Sequence, residues 1–111
     1  MAVYITEAHA TDEWPISSAR FTRDGRAVAL AQPRTTPERA AAARGFVEHY
    51  GFRPRVLVDP VDNPFDAAFA PWPLRFYVLA AGRVAFKAQP KDCSYSVAEL
   101  RDAMLRAVGE A

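Results

Sequence analysis

A helix-start signal at Thr35, set between two short β-favouring runs, limits what this chain can fold into more than any other feature. Thr35 and Glu38 have the spacing of a capping box, and Pro37 falls in the first turn, where its missing N–H costs little. Ala40, Ala43, Phe46, Val47 and Tyr50 then recur at helical intervals and give one apolar face, which Gly51 stops. Ahead of this helix, residues 2–5 (Ala-Val-Tyr-Ile) read as a buried strand. Behind it, residues 55–59 read as a second strand, ended by Pro60 and the Asp62-Asn63-Pro64 turn signal. A helix between two strands of one sheet makes them parallel neighbours.

The carboxyl-terminal part has a different pattern. Residues 65–69 suit one or two helical turns before Pro71 and Pro73. Residues 75–79 and 83–87 flank Ala80-Ala81-Gly82, a hairpin signal with a glycine for a positive-φ turn position. Ser96 and Glu99 repeat the capping-box spacing, and Val97, Leu100, Ala103, Met104, Ala107 and Val108 form the apolar stripe of a last helix. From Glu7 to Asp24 there is no period, Pro15 interrupts, and Asp24-Gly25 marks a turn; residues 27–31 form at most a short extended piece. The expected class is α/β, a mixed sheet with parallel strands and a C-terminal β-hairpin followed by a helix.

Charge and composition exclude several functions. Fourteen basic and 13 acidic residues leave a net charge of +1 and no clustered positive field for nucleic acid; Arg20, Arg23 and Arg26 read as a solvated loop. No apolar run approaches the about 20 residues of a membrane span, and no export signal is present, so the default location is the cytoplasm. The single Cys93 excludes an internal disulfide and any CxxC pair. His9 and His49 are far apart and no His/Cys pair has zinc-site spacing, so neither a metal nor a bound cofactor is expected. The isolated glycines make no phosphate-binding loop.

The chemistry-bearing residues cluster where the first strand ends, which is where open α/β sheets place their ligands. Glu7, His9, Asp12 and Trp14 follow one another within eight residues. With a reference pKa of about 6.5, His9 can exchange a proton near neutrality. Glu7 or Asp12 is expected to fix its tautomer through the other ring nitrogen. Each residue also has a plainer role: His9 as a satisfied surface group, Glu7 as a cap for backbone groups, Asp12 as a turn cap, Trp14 as a seal over the core rather than a pocket wall.

Taken together, Tyr4, Ile5, Glu7, Ala8, His9, Asp12 and Trp14 resemble the Tyr-Ile-x-Glu-Ala-His-x-x-Asp-x-Trp motif of the iodothyronine deiodinase family and its bacterial thioredoxin-like relatives. The likeness continues through Gln32-Pro33-Arg34, Glu38-Arg39, Val56-Leu57-Val58-Asp59, Asn63 and the segment from Trp72 to Val78, and covers nearly the whole chain. It implies a partial thioredoxin-like fold, residues 1–111 forming one domain whose nucleophile-bearing strand and helix start lie before residue 1. It also implies a thiol- or selenol-dependent oxidoreductase, performing reductive dehalogenation or related redox chemistry with an external thiol reductant. His9 would handle protons with Glu7 and Asp12. Trp14, Arg34, Pro73, Arg75 and Tyr77 would line the cleft for a small aromatic or halogenated substrate, with Pro73 at the position where such folds commonly carry a cis-proline. Two departures stand out: Pro33 replaces a histidine associated with iodothyronine binding, and the loop at residues 88–94 lacks the family's glycines. The competing expectation is a non-catalytic structural or interaction module. The resemblance places the nucleophile away from Cys93, and a missing central strand would leave two edges free for pairing in a homodimer.

Overall fold

A computed structural model describes residues 1–15, 29–92 and 94–109. The expected Asp24-Gly25 turn, the Arg20, Arg23 and Arg26 patch, residues 27–28 of the extended piece and Cys93 lie outside the described residues; residues 29–31 form no strand. The elements are β1 (Ala2–Tyr4), α1 (Thr36–Tyr50), β2 (Val56–Val58), α2 (Pro64–Phe69), β3 (Tyr77–Ala80), β4 (Arg83–Lys87) and α3 (Val97–Gly109). This is the mixed α/β order the pattern predicts. The chain forms two compact units, Met1–Pro73 and Leu74–Ala111.

In the first unit β1 and β2 pair in parallel, Ala2 opposite Val56, Val3 opposite Leu57 and Tyr4 opposite Val58. Ala2 N–H donates to the Arg55 carbonyl and Asp59 N–H to the Tyr4 carbonyl, both at 2.8 Å, so the ladder runs to the doorstep of Asp59. The crossover helix α1 packs on β2. Its start is the predicted capping box: Glu38 N–H donates to Thr35 Oγ1 at 3.3 Å, while Glu38 Oε2 accepts from Thr35 N–H at 3.1 Å and Arg34 N–H at 2.7 Å. Its end is Gly51 at φ 60°, a left-handed position that only glycine takes without a Cβ penalty. On the inner face Ala43 is buried, and Phe46 gathers Tyr4, Tyr50 and Phe52 within 6.2, 5.0 and 5.4 Å.

Helix α2 is capped from β2's end rather than from its own N-cap. Asn63 sits at φ 57°, and Asp59 instead accepts from Phe65 N–H at 2.9 Å and Asp66 N–H at 3.0 Å. Beyond α2 the chain runs through buried Pro71 to a cis Trp72–Pro73 peptide bond.

The second unit is a hairpin with one helix on it. Tyr77 pairs with Lys87, Val78 with Phe86, Leu79 with Val84 and Ala80 with Arg83, and a register shift falls between Val78 and Leu79. Ala81 and Gly82 form the two-residue turn with φ 49° and 73°, the double positive φ that matches strand twist. Glu99 N–H donates to Ser96 Oγ at 3.1 Å at the start of α3. Tyr95 donates its hydroxyl to the Leu74 carbonyl, and its ring meets Phe76 edge-on at 5.4 Å.

The stripe predicted for α3 is only partly covered. Ala103 is buried and Leu100 and Ala107 are half-buried, but Val97, Met104 and Val108 are exposed. A two-stranded hairpin is narrow, so it covers one line of the helix and leaves the flanking line bare. Each two-stranded sheet also has open edges among the described residues.

Thr35→Ala removes one direction of the capping box and is expected to cost about 1 kcal/mol, read as a lower urea midpoint with unchanged m-value.

Candidate active site

The carboxyl ends of β1 and β2 lie side by side, and one side chain from α1 ties them together. Arg39 sits on the same helical stripe as Ala43, four residues earlier, and its side chain is 2% exposed. Its Nη1 donates to the Asp59 carbonyl at 3.1 Å, the Pro60 carbonyl at 2.8 Å and Asn63 Oδ1 at 2.8 Å. Nη2 donates to Thr6 Oγ1 at 3.1 Å, and Thr6 in turn donates to Asn63 Oδ1 at 2.6 Å. Nε faces Glu7 Oε2 at 3.6 Å.

Glu7 is therefore an interior acid. Its side chain is 4% exposed, and Oε2 also accepts from Gln32 Nε2 at 2.8 Å. Oε1 and Gln32 Oε1 have no hydrogen-bond partner among the described residues. Burial, and next the Glu7 charge, push the Tyr4 phenol well above its ordinary pKa.

Asp12 belongs to a different, exposed cluster. Its carboxylate accepts from Gln32 N–H at 2.8 Å and Arg34 Nη2 at 3.3 Å, and Arg34 lies 3.9 Å from Glu13. The Gln32 N–H foremost, with Arg34, holds the Asp12 carboxyl below the usual range.

The structure thus corrects the expected partner of His9. The ring's Nδ1 lies 3.2 Å from the Trp14 carbonyl, not against Glu7 or Asp12. The physical reason is local: Glu13 and Trp14 donate their N–H groups to Ala10, and this turn returns the Trp14 carbonyl to His9, itself at φ 62°. A carbonyl only accepts, so Nδ1 carries the proton and the neutral ring's lone pair is on Nε2.

Aromatic rings continue from the imidazole. His9 and Trp14 are 4.5 Å apart, and Trp14 and Trp72 are 6.4 Å apart with planes at 27°. The indoles are 59% and 40% exposed, so this row is a surface rather than core. Pro73, expected to lie beside the cleft, follows Trp72 through the cis bond. Trp72 was not singled out from the sequence; it stands 58 positions after Trp14, and only the α2 excursion brings them together.

The remaining expected cleft residues have other settings. Arg34 is exposed and engaged with the two acids. Arg75 and Tyr77 belong to the second unit: Arg75 Nε is buried without a hydrogen-bond partner among the described residues, and Lys87 Nζ lies 5.9 Å from the Tyr77 ring centre. Among the described residues no three His, Cys, Asp or Glu side chains converge to hold a metal.

Removing Arg39 leaves the Glu7 charge buried and uncompensated. Arg39→Met is expected to cost about 3–5 kcal/mol in chemical unfolding, and Glu7→Gln in that background to restore part of it. Tyr4 gives a pH signature. An unfolded tyrosine ionises near pH 10, whereas folded Tyr4 keeps its proton to higher pH, so above about pH 10 the native state holds more protons and stability falls as pH rises. Unfolding free energies measured from pH 8 to 11 should show this decline, reduced in Tyr4→Phe.

The sequence model of iodothyronine deiodinase matches residues 1–108. A type I iodothyronine deiodinase of Xenopus laevis is 29% identical over 100 residues, covering 90% of this chain and 36% of the relative. A thyroxine 5-deiodinase of Sparus aurata is 28% identical over 102 residues, covering 92% of this chain and 35% of the relative. The chain spans about a third of the length of these curated relatives. With a match that takes in both strand ends, the His9 turn and the hairpin, this chain belongs to the iodothyronine deiodinase family.

Proposed function

We propose that these residues form the proton-handling and substrate-facing wall of a deiodinase-type reductase, a thiol- or selenol-dependent oxidoreductase. The observation that carries this reading is the pinned tautomer of His9 beside an exposed pair of indoles. In such a reaction the carbon–halogen bond of an aromatic substrate breaks, the halogen passes to a thiolate or selenolate, and the ring carbon takes a proton. Two equivalents of an external thiol then release halide, regenerate the nucleophile and end as a disulfide. His9 takes a proton on the Nε2 lone pair and, as imidazolium, passes that proton to the ring carbon, while Nδ1–H stays on the Trp14 carbonyl throughout. Trp14 and Trp72 offer their faces to the aryl ring. The family resemblance puts the nucleophile at a helix start just after a further strand, which would add to an open edge of the β1–β2 pair, and gives Cys93 no part in the reaction. A cytoplasmic setting, where thiols are kept reduced, suits this chemistry.

The test is iodide release from an iodinated phenol by the full gene product with dithiothreitol as reductant. His9→Ala is expected to lower kcat by about 10²-fold or more, the usual weight of a proton-transferring group, with a smaller change in KM. Trp14→Ala should raise KM, and Cys93→Ser should leave both unchanged. Undiminished turnover in His9→Ala would refute the assignment. Absence of turnover in the unmodified protein would favour a non-catalytic binding module.

A further inference from the structure

A second concave site lies between α1 and β2, and none of its lining residues belongs to the His9 surface. Ala40, Ala43 and Val47 of α1, Phe52, and Val56 and Val58 of β2 line an open hollow of about 400 Å³. Ala43 is buried at the base of the hollow, and the half-buried Ala40 leaves room above it. Val56 and Val58 alternate with Leu57 and so present one face of the strand to it.

Its rim is cationic. Arg44 and Arg53 both line the opening, and among the described residues neither has an ion-pair partner. Glu48 is the one acid among the lining residues. An apolar hollow of this size with two unengaged guanidiniums at its mouth matches an amphipathic anion: an alkyl chain for the hollow and a planar carboxylate for the forked donors.

We propose that this hollow binds a medium-chain aliphatic carboxylate, the alkyl chain lying along Ala40, Val47 and Val58 and the carboxylate meeting Arg44 and Arg53. Octanoate is the probe, titrated into the protein while amide shifts are followed by NMR. Saturable shifts should centre on Val47, Phe52 and Val58, and affinity should rise about fourfold per methylene from hexanoate to octanoate, as burial of each group predicts. Octanol should bind more weakly. The Arg44→Gln/Arg53→Gln protein should lose about tenfold or more for octanoate and nothing for octanol, while Glu48→Gln should bind octanoate more tightly. Ala40→Leu, at a half-buried position, should fill the hollow and abolish binding without unfolding the chain. Equal affinity for octanol and octanoate, shifts that grow linearly without saturation, or shifts mapping elsewhere would each overturn the proposal.

Discussion

The buried guanidinium of Arg39 is the constraint on which the first unit depends. A positive charge taken out of water is tolerated only when its donors are nearly all used and an anion is close. Arg39 Nη1 and Nη2 donate to carbonyls at the end of β2, the amide oxygen of Asn63 and the hydroxyl of Thr6, while Nε, with no hydrogen-bond partner among the described residues, faces the Glu7 carboxylate at 3.6 Å. Those groups come from three places in the chain, so satisfying one side chain of α1 fixes that helix against the end of β1, the end of β2 and the turn into α2. A lysine would place one compact charge there and could not reach in so many directions.

Position then passes outward along the chain. The β2 end held by Arg39 is also where Asp59 caps α2, and α2 leads to Trp72. On the other strand, the Glu7 held by Arg39 is two residues from His9. The exposed row of His9, Trp14 and Trp72 thus hangs from the same buried cluster by two short tethers. A substitution at Arg39 touches none of these rings, yet it would loosen both tethers together.

The sequence pattern reveals what short-range rules govern. Thr35 with Glu38, Gly51, and Ala81-Gly82 each act within a few residues, and each stands where local chemistry places it. Parallel pairing follows from the intervening helix. The Arg39 cluster was not legible in this way, because its partners lie between 20 and 33 positions away and hydrophobic periodicity says nothing of a buried charge. One signal was available: an arginine four residues before Ala43 on the inner stripe. The apolar pattern of α3 reports which side chains seek cover but not how wide a surface exists to cover them.

The same geometry separates residues that sequence proximity had grouped. Glu7, His9 and Asp12 lie within six positions and suggest one catalytic cluster, but the fold assigns them to three environments. Glu7 is committed to Arg39 and Gln32, and Asp12 to Gln32 N–H and Arg34. The Gln32 N–H and the Arg34 cation hold the Asp12 carboxyl below the usual range, which makes Asp12 a poor proton carrier near neutrality. His9 is held by a neutral carbonyl, which orients the ring. The carbonyl provides the orientation that a carboxylate was expected to give, and it does so without adding a negative charge beside the imidazole. Of the three, His9 is the one oriented by a neutral backbone carbonyl, whereas Glu7 and Asp12 are each engaged by an arginine and by Gln32.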